Sequence, residues 1–204
     1  MNSFSSFDYT VADARVAPPH AARYLADAFA DYPLAKWILQ DEQDEVVARI
    51  ALFEVLIEAY QALGSKFVWI EPDGPVAVWS ESSLPAAMPM RQRIDLRHLF
   101  LSRLGKRTIR RLIDIETASE RHCPIVGRHY VLHLIGVRKS ERRNGFGRVL
   151  LSRLDQSDRL PAIAETSNSA NLSFYLSLHF VSCGDYEIRL NGPKTWIFVR
   201  KAVQ

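Results

Sequence analysis

Tyr130-Val131-Leu132-His133-Leu134-Ile135-Gly136-Val137 runs directly into Arg138-Lys139-Ser140-Glu141-Arg142-Arg143-Asn144-Gly145-Phe146-Gly147-Arg148. The first eight residues form a nearly continuous apolar run rich in β-formers. Such a run predicts a central strand covered on both faces. The next eleven bring a charged turn and two glycines, and lead into a helix with Val149, Leu150, Leu151 and Leu154 at its apolar positions. The first free N–H groups of that helix face the loop and carry partial positive charge. Gly145 and Gly147 let the backbone approach a ligand, and Arg142, Arg143 and Arg148 add cationic donors. The stretch therefore predicts an anion cradle of a kind that suits a pyrophosphate. A third glycine is missing for a dinucleotide fingerprint, and the Lys-Ser/Thr of a Walker loop is missing too.

Working outward, Ala162–Glu165 reads as a short strand and Asn171–Leu178 as a short helix. The strand–helix–strand unit from Tyr130 to Glu165 predicts a right-handed crossover between parallel strands. Val181–Leu190 and Thr195–Lys201 read as strands joined by Asn191-Gly192-Pro193, a hairpin composition. Upstream, Asp8–Val16 predicts an opening strand, and Tyr24, Leu25, Ala28 and Phe29 predict a helix running up to Pro33. Val46, Ile50, Phe53, Ile57 and Tyr60 define a longer helix, capped by Asp41 or Asp44 and stopped at Gly64. Lys66–Ile70 and Val76–Ser80 predict a hairpin around Glu71–Pro75, and Arg91–Glu120 predicts two helices split at Gly105. The sum is an α/β (α+β) fold spanning residues 1–204 as one domain. It has a single mixed central sheet of about six to seven strands with helices on both faces.

The composition sets bounds. The chain has 204 residues, 48% apolar and 24% charged, with a net charge of +3. No stretch approaches the roughly 20 apolar residues of a membrane helix, and the N-terminus lacks the basic and apolar regions of a signal peptide. Cys123 and Cys183 lie far apart with no CxxC spacing, which favours a reducing, cytoplasmic setting and no metal or disulfide framework. The arginines between Arg91 and Arg111 read as a solvated helix face rather than a nucleic-acid surface, because no aromatic residues interleave with them as in a single-strand binder.

The segment Arg142-Arg143-Asn144-Gly145-Phe146-Gly147 matches [Q/R]-x-x-G-x-[G/A] between a strand and a helix, and here the chain resembles the GCN5-related N-acetyltransferase (GNAT) superfamily. Leu134-Ile135-Gly136-Val137 is similar to the strand that precedes this loop in the family. Ile163–Phe180 resembles the family's next strand and short helix, except that His179 stands where the family usually has glycine. Phe29–Leu34 looks like a family helix end, and Asn191–Trp196 resembles the last hairpin of the puromycin acetyltransferase branch.

The resemblance implies acetyl-CoA as acyl donor, with no metal. It assigns cofactor contacts to Leu134, Ile135, Gly136, Val137, Arg142, Arg143, Asn144, Gly145, Phe146, Gly147, Arg148, Asn171 and Tyr175. The backbone of Ile135 and Val137 would pair with the pantetheine arm as an added strand would. Tyr175 matches the family's frequent general acid, and helical spacing puts Asn171 on its face. His133 is a candidate base for a protonated amine; Glu165 is a second and Glu81 a third.

The implied reaction is direct attack by a primary amine of a small molecule or peptide in a ternary complex. The implied assembly is a monomer or homodimer with no nucleic-acid or membrane partner. A non-catalytic acyl-CoA-binding module on the same fold is the alternative. The acceptor would lie against the first two helices, Ser80–Arg93 and the last hairpin. Trp37, Trp79, Met88, Met90 and Trp196 are available to line it, and Ser82–Met90 to cover it.

Overall fold

Seven strands form one mixed sheet in the computed structural model, which describes residues 10–82, 90–125, 127–155, 160–189 and 191–202. In chain order the strands are β1 (Val11–Ala14), β2 (Lys66–Ile70), β3 (Val76–Glu81), β4 (Tyr130–Gly136), β5 (Ala162–Thr166), β6 (Val181–Glu187) and β7 (Lys194–Arg200). Their order across the sheet is β1-β2-β3-β4-β5-β7-β6. Only the β4–β5 pair is parallel; the other five pairings are antiparallel. The helices are α1 (Ala21–Ala28), α2 (Pro33–Leu39), α3 (Glu45–Ala62), α4 (Met90–Arg103), α5 (Lys106–His122), α6 (Phe146–Asp155) and α7 (Leu172–Leu176).

Both faces of the sheet are covered. Leu150, Leu151 and Leu154 of α6 bury against Val68, Ala77, Trp79 and Leu132, together with Tyr175, Leu178 and Phe180. Burial of each such leucine contributes roughly 2 kcal/mol. On the opposite face, α1 and α3 pack on Phe67, Val76 and Val78, while α2 and α5 cover Ile163 and Ile197. The long apolar run of β4 follows from this two-sided cover, as the sequence pattern predicts. Gly136 lets α1 approach closely, because a Cβ there would lie 2.5 Å from Leu25 Cδ2.

Several local expectations sharpen. Asp44, not Asp41, caps α3; its carboxylate accepts the N–H groups of Val46 and Val47. Asp41 pairs with Arg107 and Arg111. The split at Gly105 is present. β1 is shorter than Asp8–Val16, and Asp8 and Tyr9 lie outside the described residues, as do residues 83–89 of the covering loop and Leu190.

The pattern missed α2. Pro33 does not close a helix but opens one: Tyr32 is extended (φ −77, ψ 125) and Pro33 takes the first helical position. The chain thus turns a corner between α1 and α2 with Tyr32 at its apex.

His179 adopts φ +63, the left-handed geometry that glycine provides without strain. The turn is held by N–H donation from Phe180 to the Tyr175 carbonyl. Replacing His179 with glycine relieves that strain. His179→Gly is expected to stabilise the fold by up to about 1 kcal/mol, a rise in Tm of roughly 2–4 °C, measured by thermal unfolding.

Candidate active site

The two parallel strands separate. β4 and β5 pair only at Tyr130↔Ala162, Val131↔Ile163 and Leu132↔Ala164, although β4 continues to Gly136 and β5 to Thr166. β3 stays paired with β4 to Gly136, and β7 with β5 to Thr166. The sheet therefore opens between two well-supported strands, and β5 offers no partner to the backbone of β4 beyond Leu132. A bulge marks the opening. The β3–β4 register steps from Val78↔Leu134 to Trp79↔Leu132, so His133 is the extra residue on β4.

The loop after β4 lies at the far end of the opening. Arg143 (φ +70) and Gly145 (φ +81) are both left-handed, a geometry that draws successive N–H groups into a concavity. The N–H of Val149 is the first of α6 to return to an earlier carbonyl, that of Gly145. A Cβ on Gly145 would meet nothing within 4 Å. The space over the helix start is open, so Gly145 is required for its backbone angle. Gly147 has another reason: a Cβ there would lie 2.9 Å from Phe174 Cζ.

The arginines divide their work. Arg142 does not project freely toward an anion. Its guanidinium donates to the Val137 carbonyl at 3.1 Å and the Ala28 carbonyl at 3.0 Å, bracing the loop to the end of α1. Arg138 stacks 4.2 Å over the Tyr24 ring and pairs with Asp27. Tyr24 in turn donates to the Glu141 carboxylate. Arg143 is exposed. Arg148 reaches across to the Ser177 hydroxyl at 3.2 Å and borders a concavity of about 600 Å³ with His179, Arg200 and Lys201. The basic surface thus extends from the loop past α7.

His133 and Glu165 flank the opening on the face covered by α3 and α5. His133 stacks on Tyr60, with centroids 4.5 Å apart, and its Nε2 lies 2.7 Å from the Ser80 hydroxyl. Burial disfavours the imidazolium and lowers its pKa to about 4. Glu165 accepts from the Ser119 hydroxyl at 3.1 Å and from Tyr186 at 2.9 Å. Burial raises its pKa above the ordinary carboxylate value, against the lowering by those two hydrogen bonds. Glu81 is held in an ion pair with Arg128.

Tyr175 is 3% exposed. Its ring stacks on Phe198 and meets the edges of Phe174 and Phe180. Burial pushes its phenol far above the usual tyrosine value. Asn171 does not reach Tyr175 through a hydrogen bond; its Nδ2 donates to Thr166 Oγ1 at 3.2 Å.

Trp37 and Trp79 are core residues, on opposite faces of the sheet. Trp196 packs partly buried at the rim. Met88 lies outside the described residues. Tyr32, Ser80 and Thr166 lie in stretches the sequence singled out but were not named individually, and Ser119 and Tyr186 join the site with no sequence signal of their own; the strand opening and the α1–α2 corner bring them together.

Known structures share this architecture. A histone acetyltransferase HPA2 and related acetyltransferase from Corynebacterium glutamicum is 20% identical, with a TM-score of 0.65 over 97% of this chain and 98% of that one. A Drosophila melanogaster polyamine N-acetyltransferase is 14% identical, with a TM-score of 0.58 over 95% of this chain and 100% of that one. A GNAT family acetyltransferase from Streptococcus agalactiae is 12% identical, with a TM-score of 0.51 over 96% of each chain. No family model matches the chain. At these identities the likeness defines the fold, and the chain has the fold of the GNAT acetyltransferases.

The His133 environment has a measurable consequence. Between its ordinary value of 6.5 and its folded value of about 4, the unfolded chain takes up a proton that the folded chain refuses. Stability therefore falls as pH drops through that window, by up to about 3 kcal/mol. Glu165 and Glu116, both raised by burial, act in the opposite sense as they protonate. The His133→Gln difference isolates the imidazole contribution: the variant is expected to lose about 2 kcal/mol less than the parent between about pH 7 and about pH 4.5, measured by urea unfolding.

Proposed function

We propose that this protein is an acetyl-CoA-dependent N-acyltransferase that moves an acetyl group from the thioester to a primary amine of a small molecule or peptide. The observation that carries this reading is the opening between β4 and β5, which leads directly to the loop from Arg142 to Gly147. An extended amide-bearing arm matches unpaired strand backbone, and a pyrophosphate matches a helix start with free N–H groups.

In this reading, the backbone from His133 to Val137 holds the pantetheine arm of the donor. Residues Arg143 to Arg148 hold its pyrophosphate, and the basic surface of Arg148, His179, Arg200 and Lys201 favours the remaining phosphate. The bound thioester supplies an activated acyl group. The chain's residues orient it, exclude water and move protons.

The amine must lose a proton to attack. With Nε2 at Ser80 and a pKa of about 4, His133 is neutral but weakly basic. Glu165, with its raised pKa, is the better-matched base. Positions on both walls of the opening favour attack within a ternary complex over a covalent acyl-enzyme. The amine-acetylating activity in the name of the polyamine N-acetyltransferase supports an amine acceptor.

Free-thiol release from acetyl-CoA in the presence of a panel of amines, peptides and aminoglycosides tests the activity. Gly145→Glu places a carboxylate in the anion cradle and is expected to weaken acetyl-CoA binding by at least about tenfold, measured by calorimetry. Unchanged affinity would sink the cradle assignment. Glu165→Gln is expected to lower kcat by about 10²-fold with donor affinity retained.

A further inference from the structure

From Arg138 to Arg148 the chain carries a single acidic residue, Glu141, among Arg138, Lys139, Arg142, Arg143 and Arg148. Glu141 stands two positions before Arg143, where the left-handed part of the loop begins. A free carboxylate at that place opposes the binding of an anion. The neighbouring cations are engaged elsewhere. Arg138 pairs with Asp27 at 3.1 Å, Lys139 pairs with Asp31 at 3.8 Å, and Arg142 donates to the Val137 and Ala28 carbonyls. Glu141 instead accepts the hydroxyl hydrogen of Tyr24.

Tyr24 belongs to α1 and is fully buried. Its one hydroxyl hydrogen goes to Glu141, and its oxygen accepts the Arg138 N–H at 3.3 Å. Burial first, and the bond to Glu141 second, hold the phenol above the usual tyrosine value, so it remains a donor. The Arg138 guanidinium lies over the ring, 4.2 Å from its centroid. One side chain thus grips both ends of the short turn Lys139–Glu141 that leads into the cradle. Since the ring is fully buried, the core fixes the place at which Glu141 is held.

We propose that Tyr24 is a positioning residue for the acyl donor, holding the loop's one carboxylate against α1 and out of the anion cradle; this rests on the acyltransfer reading above. The arrangement separates two properties of Glu141. The loop needs an acceptor at position 141 to be tethered to α1, and it needs the charge of that acceptor kept off the pyrophosphate. A freed carboxylate within about one Debye length of the bound anion, roughly 8 Å, weakens its binding by about fivefold.

Calorimetric titration of the full chain with acetyl-CoA tests this. Glu141→Asp keeps the charge but is one methylene too short for Tyr24, and is expected to weaken binding by about fivefold. Glu141→Gln loses the charge but keeps an oxygen that accepts the Tyr24 hydrogen, and is expected to bind at least as tightly as the parent. Tyr24→Phe is expected to weaken binding as Glu141→Asp does, and the added Glu141→Gln to restore it to within about twofold of the parent. Raising the salt from about 0.1 M to about 1 M is expected to shrink the Glu141→Asp loss below about twofold, because the Debye length falls to about 3 Å. A loss of packing alone would not respond in this way. Glu141 is only half-buried, so the comparison at position 141 stands even where Tyr24→Phe fails to fold. Parental affinity in Glu141→Asp, a Glu141→Gln loss as large as that of Glu141→Asp, or an equal loss at both salt concentrations would each overturn the assignment. A parent protein that binds no acetyl-CoA would instead overturn the donor reading itself.

Discussion

A parallel strand pair that holds together for three residues and then separates is the constraint on which the rest of the structure depends. An open pair of strands exposes backbone groups that must find partners. Here each strand is supported from behind, β4 by β3 and β5 by β7, so the opening persists without either strand fraying. The packing on the two faces answers to it. α6 begins where the opening ends, α7 and its neighbouring turn close one side, and α3 and α5 wall the other. The candidate residues His133 and Glu165 lie on the two walls of the opening.

Much of this was legible in the sequence. The apolar run from Tyr130 and the glycines at 145 and 147 mark a strand, a turn and a helix start, and all three stand where the pattern puts them. Local chemistry writes such features: β-branched residues, backbone angles and helix starts leave marks within a few residues. The corner at Tyr32–Pro33 shows the opposite case. A proline after an amphipathic stretch reads equally well as the end of one helix or the start of the next, and only packing of Trp37, Ile38 and Leu39 against α3 and α5 decides it.

The site was legible in part. His133 and Glu165 do flank the opening, and the loop has the twisted backbone its glycines suggest. The use of individual side chains was not readable. Arg142 serves two carbonyls of the fold, Gly147 makes room for Phe174, and Asn171 turns to Thr166. Ala28 and Phe174 are far away in the chain from Arg142 and Gly147, and periodicity carries no information about such partners. Charge alone misleads in the same way. Of the basic residues around the loop, Arg138 and Lys139 pair with Asp27 and Asp31, and Arg142 is a brace.

That brace links two parts of the molecule. The Arg142 guanidinium closes on the carbonyl of Ala28, the last residue of α1, four positions before Tyr32. The loop after β4 and the end of α1 are thereby fastened to each other beyond the end of the central strand. In the proposed function, a donor held on the loop would rest on a segment tied to the end of α1. A substitution of Arg142 would therefore act on the corner as well as on the loop.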